Sequence, residues 1–141
     1  AAYSARVLFV DSSAWIALVS ASDGRHAEAD AIFRAVVRER TPLLTTNLII
    51  AEVHRLLLHR AGITPARAAL DRIATSRLVT LDHATQTHHD AACAWLTRLG
   101  DQRITYTDAV SFAVMTARRC RVALAFDDDF VRAGFRVRRE H

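Results

Sequence analysis

Four acidic residues occupy positions where carboxylates could do chemistry. Asp11 directly follows the apolar run 7–10, and Asp127 directly follows the run 122–126. In open parallel sheets, sites form beyond the carboxyl ends of strands. Each Asp also has a plainer reading as a helix N-cap. Glu52 stands four residues after Leu48, three after Ile49 and four before Leu56. That spacing places it inside an apolar helical arc, where an unpaired carboxylate is costly. A buried Glu–Arg pair is the structural alternative. Asp108 closes the segment Thr105-Tyr106-Thr107-Asp108, which fits a capping box, yet the helix behind it is apolar almost all round.

Carboxylates gathered at one point repel and raise one another's pKa values. A hard divalent cation, Mg²⁺ or Mn²⁺, removes that cost and favours carboxylate oxygens with retained water. Such an ion activates water and stabilises charge developing on a phosphodiester. Surrounding arginines would hold the phosphate backbone. The combination points to a metal-dependent nuclease working by in-line attack of water, with no covalent intermediate. In this reading Asp11 and Asp108 are direct metal ligands, Glu52 holds the metal or its water, and Asp127 completes the set.

The elements that must position these acids alternate between strand and helix. Apolar runs at 7–10, 43–45, 78–81, 122–126 and 135–137 read as strands. Helical patterns fall at 13–21, 25–40, 47–61, from 64, 82–99 and 105–119, with a short turn at 128–133. Asn47, Asp82 and Thr105 are the expected N-caps, and Pro65 the expected first residue of its helix. Alternation of this kind predicts a three-layer α/β/α domain with a central parallel sheet of four to five strands. Residues 1–141 are expected to form one domain, as the length suggests. Trp15 and Leu18 on the apolar first helix suit either the core or a dimer interface.

Composition excludes several alternatives. All 19 basic residues are Arg, and Lys is absent. A Walker A loop and a Schiff-base enzyme both need Lys. No GxGxxG occurs, so a dinucleotide site has no support, and no His pair has the i,i+4 spacing of a zinc motif. Ser12 and Ser13 lack the GxSxG setting of a hydrolase nucleophile. The net charge of +4 suits a polyanionic partner. Arg132, Arg136, Arg138 and Arg139 form a basic tail suited to RNA or to an acidic protein segment. Cys93 and Cys120 read as buried, reduced thiols, which places the chain in a reducing, cytoplasmic compartment. Asp11 breaks the only stretch that mimics a signal peptide, and no apolar segment is long enough to span a membrane.

Four segments together carry a family resemblance. They are Val-Asp-Ser-Ser-Ala-Trp at 10–15, Thr-Thr-Asn-Leu-Ile-Ile-Ala-Glu-Val-His-Arg-Leu-Leu at 45–57, Thr-Tyr-Thr-Asp-Ala-Val-Ser-Phe-Ala-Val-Met at 105–115 and Ala-Phe-Asp-Asp-Asp-Phe at 125–130. In order and spacing the chain resembles the PIN-domain family, and within it the VapC-type toxins of bacterial toxin–antitoxin modules. The resemblance implies that Asp11, Glu52, Asp108 and Asp127 correspond to an acidic quartet that binds Mg²⁺ or Mn²⁺. It implies an endoribonuclease that acts on tRNA, rRNA or mRNA, arrests translation, forms a homodimer and is held in check by a cognate VapB-type antitoxin. One departure is Ala125, where the family often carries Thr or Ser, and it leaves Asp129, and less so Asp128, as rivals to Asp127. A PIN-type RNA-processing nuclease outside a toxin–antitoxin module, and a non-catalytic binding module whose acids are caps, remain the alternatives.

Overall fold

The computed structural model describes residues 6–139. Five parallel strands form its sheet: β1 (Leu8–Val10), β2 (Leu43–Thr46), β3 (Val79–Asp82), β4 (Val122–Leu124) and β5 (Arg136–Val137), in the order β3-β2-β1-β4-β5. The register sets Leu8 opposite both Leu43 and Val122. Every residue of β1 and β2 is buried, as a strand covered on both faces requires. The edge strands β3 and β5 are partly wet.

Right-handed crossovers fix which face each helix covers. The chain steps outward from β1 to β2 to β3 through α1 (Ser12–Val19), α2 (His26–Glu39), α3 (Asn47–Ala61) and α4 (Ile63–Thr75). It then returns past β1 to β4 and β5 through α5 (Gln86–Leu99), α6 (Tyr106–Ala117) and α7 (Asp129–Arg132). The first group therefore lies on one face and the second on the other, and the main helix contacts follow the same division: α1 with α2 and α3, α3 with α4, and α5 with α6, while α3 and α6 also touch. This is the expected α/β/α architecture with five strands.

Each face has its own aromatic centre. Trp15 packs on Phe33 with ring centroids 5.3 Å apart. On the opposite face Phe112 meets Phe130 edge-on at 5.1 Å, and Phe130 meets Phe9 at 5.9 Å. Burying such rings supplies large apolar area, with about 0.5–1.5 kcal/mol more for each well-oriented pair. Trp15 and Leu18 are both buried within the chain's own fold. Helix α6 is buried from Asp108 to Met115, as its continuous apolar sequence requires.

Several local expectations are corrected by tertiary contacts. Thr46, not Asn47, caps α3, accepting from Ile49 N–H at 3.2 Å. Asn47 Oδ1 instead accepts from Ala84 N–H at 2.9 Å and ties α3 to the segment after β3. Thr85, not Asp82, caps α5 in a reciprocal box with His88. Asp82 ends β3 and receives Arg118 Nε at 2.6 Å. Helix α4 begins at Ile63, so Pro65 is its third residue. Strand β4 stops at Leu124, two residues short of the apolar run. Cys120 is buried but lies beyond the end of α6, whereas Cys93 is exposed on α5. The apolar stretch around Cys93 covers α6 with its other face, through Ala92.

Candidate functional site

Strand order reverses between β1 and β4: β1 leads to helices on one face, and the helices that lead into β4 lie on the other. A crevice opens beyond the carboxyl ends of two strands related in this way. Asp11 stands there, immediately after β1, and Asp127 stands three residues after β4. Helix α6 begins at the same rim and carries Asp108 in its first turn, while α3 carries Glu52 on its second turn.

Asp11 occupies the N-cap position of α1, yet its side chain makes no cap hydrogen bond. Its carboxylate accepts from Ser13 Oγ at 3.0 Å. The same Ser13 Oγ accepts from Phe126 N–H at 3.2 Å, so one hydroxyl ties the end of β1 to the loop after β4. The neighbouring Ser12 donates its hydroxyl to Glu52 Oε1. Two consecutive serines thus hold two carboxylates that are 41 residues apart in sequence. Both serines are bonded to acids of the rim. Sequence reasoning missed this role, although two hydroxyls directly after a strand-end Asp were its visible sign.

Burial separates the four acids. Asp11 is 2% exposed and Asp108 8%. Glu52 is half-buried, because the buried stripe of α3 runs through Ile49, Val53 and Leu57 and leaves position 52 at its edge. Its expected place inside the apolar arc is therefore corrected: it faces the cleft instead. Asp127 is exposed, as is Asp128, and Asp129 is half-buried.

The electrostatics follow. Burial, then the charges of Asp127 and Asp108, push the Asp11 carboxyl up to about 8, against hydrogen bonds from Ser13 and the Ser12 backbone. Burial, followed by the Asp129 charge, pushes Asp108 up to about 7, with Asp127 adding to the rise and the Thr105 hydroxyl opposing it. Asp127 is raised by desolvation and by Asp129, Asp128 and Glu52, against a hydrogen bond from Asp129 N–H to its Oδ1 at 3.2 Å. The loop after β4 thus sends two acids to the rim: Asp127 acts most strongly on Asp11, and Asp129 on Asp108. Arg132 lies 3.7 Å from Asp129.

All of these groups are hard oxygen donors. Among the described residues no group of three acidic, His or Cys side chains is close enough to hold a metal ion as it stands. Mg²⁺ keeps several waters and takes only one or two direct carboxylates, so an open rim of oxygens suits it better than a closed cage. The carboxyls are raised first by burial and then by mutual repulsion, and a divalent charge would relieve the second. Beside the rim is a cleft of about 260 Å³, lined by Ser12, Ser13, Glu52, Phe126 and Asp127, with Arg25 and Arg60 at its sides. A larger groove of about 540 Å³ lies elsewhere, between Trp15, Phe33 and Leu78, and contains none of the rim acids.

Residues 8–136 match the PIN domain. The chain belongs to the PIN-domain family. It is 36% identical over 129 residues to the 23S rRNA-specific endonuclease VapC20 of Mycobacterium tuberculosis, in strains CDC 1551 / Oshkosh and ATCC 25618 / H37Rv alike. That match covers 92% of this chain and 95% of the relative. The crystal structure of Mycobacterium tuberculosis VapC20, described as a sarcin–ricin loop cleaving toxin, superposes with a TM-score of 0.86 at 35% identity, covering 94% of this chain and 99% of that one. FitAcB of Neisseria gonorrhoeae shares the fold at a TM-score of 0.62 and 12% identity, over 92% of this chain and 95% of that one. The expected family and fold are both borne out.

Proposed function

We propose that the chain is a VapC-type endoribonuclease that hydrolyses RNA phosphodiesters at the rim of Asp11, Glu52, Asp108 and Asp127, with Mg²⁺ or Mn²⁺ as cofactor. The observation that carries this reading is the gathering of like charges at the switch point. Asp11 and Asp108 are buried, form no ion pair among the described residues, and have their carboxyls raised by burial and by their acidic neighbours. A fold does not gain stability from such a cluster. A divalent ion, when bound, neutralises the carboxylates, acidifies bound water and draws charge from a phosphodiester.

The chain's own residues prepare the site. Ser13 fixes the Asp11 carboxylate, and Ser12 fixes Glu52. Thr105 caps α6 through Asp108 N–H at 3.1 Å and so sets the turn that presents the Asp108 side chain. Asp11 and Asp108 are assigned as the direct ligands, with Glu52 holding the ion or its water and Asp127 completing the shell. Asp129 is assigned a supporting role, because its main effect falls on Asp108 rather than on Asp11. The arginines around the cleft neutralise phosphate charge.

The similarity to VapC20 supports the sarcin–ricin loop of 23S rRNA as substrate over tRNA or mRNA. It also supports a toxin role, control by a VapB-type antitoxin, a homodimeric state and a cytoplasmic site of action on ribosomes. Among the described residues no helix is long and apolar enough to cross a membrane. We take residues 1–141 to act as one nuclease domain.

The test is cleavage of purified bacterial ribosomes and of a sarcin–ricin hairpin, with Mg²⁺, with Mn²⁺ and with chelator, beside Asp108→Asn. A single metal-dependent cut in the hairpin, absent in the variant, is the expected result. Cleavage that persists in chelator contradicts the metal assignment. Cuts in tRNA or mRNA with an intact hairpin redirect the substrate assignment.

A further inference from the structure

The ring of Phe126 forms one wall of the acidic cleft, next to Asp127. Two guanidinium groups lie over it: Arg25 at 5.5 Å and Arg139 at 5.4 Å from the ring centroid. The two arginines come from segments more than a hundred residues apart, one before α2 and one after β5. Glu28 on α2 joins them. Its carboxylate accepts from Arg25 Nη1 at 3.2 Å, and from Arg139 Nε and Nη2 at 2.8 and 3.1 Å. One carboxylate balances two guanidiniums, so the unit keeps a net positive charge. Each guanidinium has five N–H donors, so donors remain on both after Glu28 is served.

Arg139 also opens onto a second surface. It lines a groove of about 560 Å³ along α2 together with Arg34, Arg38 and Arg138. The ion pairs there are exposed ones, Arg34 with Asp30 and Arg138 with Glu39. Such pairs exchange readily with other anions, because each contributes little. Arg139 therefore belongs both to the lip of the acidic cleft and to the arginine-lined groove along α2.

We infer that the Arg25–Glu28–Arg139 unit on Phe126 is a phosphate-positioning site, from which an RNA strand leaving the acidic cleft follows the arginines of α2. The inference rests on the nuclease reading of that cleft and names the path its substrate takes. A guanidinium fork, held in place from below by a carboxylate, matches the oxygens of a phosphodiester. A ring beneath it adds cation–π attraction and prevents the fork from collapsing into the cleft. A strand of alternating phosphates suits a track of spaced arginines that begins beside the cutting site.

The test is binding of a fluorescein-labelled short single-stranded RNA, read by anisotropy across a salt series in chelator. Asp108→Asn serves as the background, so that no RNA is cut. Added to it, Arg25→Gln and Arg139→Gln should each weaken binding about tenfold. Each should also lower the slope of log affinity against log salt by about 0.7. Arg77→Gln, on an exposed arginine at the other end of the strands, should change neither beyond a general charge effect. Unchanged affinity and slope in both cleft variants would overturn the track. So would normal RNA binding combined with lost binding of a polyglutamate peptide, which assigns the arginines to a protein partner. In the otherwise wild-type chain, Arg25→Gln and Arg139→Gln should raise KM for RNA more than they lower kcat. A chain that binds RNA through Arg25 and Arg139 but cuts none keeps the track and defeats the nuclease reading. A chain that cuts RNA with KM unmoved by either substitution keeps the nuclease and defeats the track.

Discussion

At the carboxyl ends of β1 and β4, acids face acids. Along α2, acids face arginines. Asp11 and Asp108 are buried, their carboxyls pushed up to about 8 and about 7 by burial and by neighbouring carboxylates. Asp30 is open to water, and its hydrogen bond to Arg34 Nε at 2.8 Å holds its carboxyl below the usual range. The same residue type is therefore destabilised in one region and stabilised in the other. Water and opposite charge suffice to stabilise the charges of α2 in the folded chain, since surface pairs are the ordinary way to place charge. At the rim, hydrogen bonds from Ser13 and Thr105 oppose the rise without cancelling it, which fits the proposed binding of a divalent cation. The contrast separates acids matched by arginines from acids proposed to be matched by a cation.

Substitutions at the rim provide the sharpest way to break the contrast. Asp11→Asn and Asp108→Asn should each lower RNA cleavage by roughly 10²–10⁴-fold, the range for losing a group that takes part in the chemical step. In chelator the same variants should be at least as stable as the parent in urea unfolding, because a repelled, buried charge has been removed. A cap or a structural ion pair would give the reverse, with stability lost.

The next largest effect is on pH dependence. Asp11 and Asp108 bind a proton more tightly when folded than when unfolded, where an ordinary carboxyl titrates near 4. Below that value both states are protonated, and the groups contribute nothing. Between about 4 and 8 the folded chain holds more protons, so its stability falls as pH rises. The fall is about 1.4 kcal/mol per pH unit for each proton by which the states differ. Unfolding of the chelated protein should therefore show lower stability at pH 8 than at pH 6, and Asp11→Asn should flatten the trend. Saturating Mn²⁺ should flatten it too, since a bound ion favours the charged carboxylates.

Smaller effects test how the acids are held. Ser13→Ala removes the hydroxyl shared by Asp11 and Phe126 N–H. It should cost about 1–2 kcal/mol of stability, the usual range for a part-buried hydrogen bond with one partner stranded. Cleavage should fall more than RNA binding does. The smallest effect belongs to α2: Arg34→Gln should leave the melting temperature unchanged, because its pair with Asp30 lies at the surface. A clear loss of stability there would break the comparison from the other side.

Much of the fold was legible because periodicity and burial agreed. The run at 7–10 and the apolar helix 105–119 had to lie in the core, and β1 and α6 do. Strand and helix alternation then left little choice about the sheet. The errors lie where tertiary contacts outcompete local preference. Asp82 is a good cap by type, but Arg118, from the end of α6, claims it and leaves the cap to Thr85. Asn47 lost its cap role because its side chain bridges to Ala84. Glu52 was placed in the apolar arc by spacing alone. Only the crossing of α3 over the sheet determines that position 52 lies at the arc's wet edge, within reach of Ser12. The serines could not be assigned from sequence, since their partners arrive from β4 and α3. The acids themselves were legible, because strand ends and helix starts put them on one rim whatever the details of packing.

The most direct measurement is calorimetric titration of Mn²⁺ into the metal-free chain near pH 7, in two buffers that differ in ionisation enthalpy. The account predicts saturable binding with release of protons, since Asp11 and Asp108 are partly protonated in the free chain. It also predicts that Asp11→Asn or Asp108→Asn abolishes that binding while the fold is retained. Absence of binding to the parent chain, or equal binding by the two variants, would contradict the claim that the rim acids are gathered for a divalent cation.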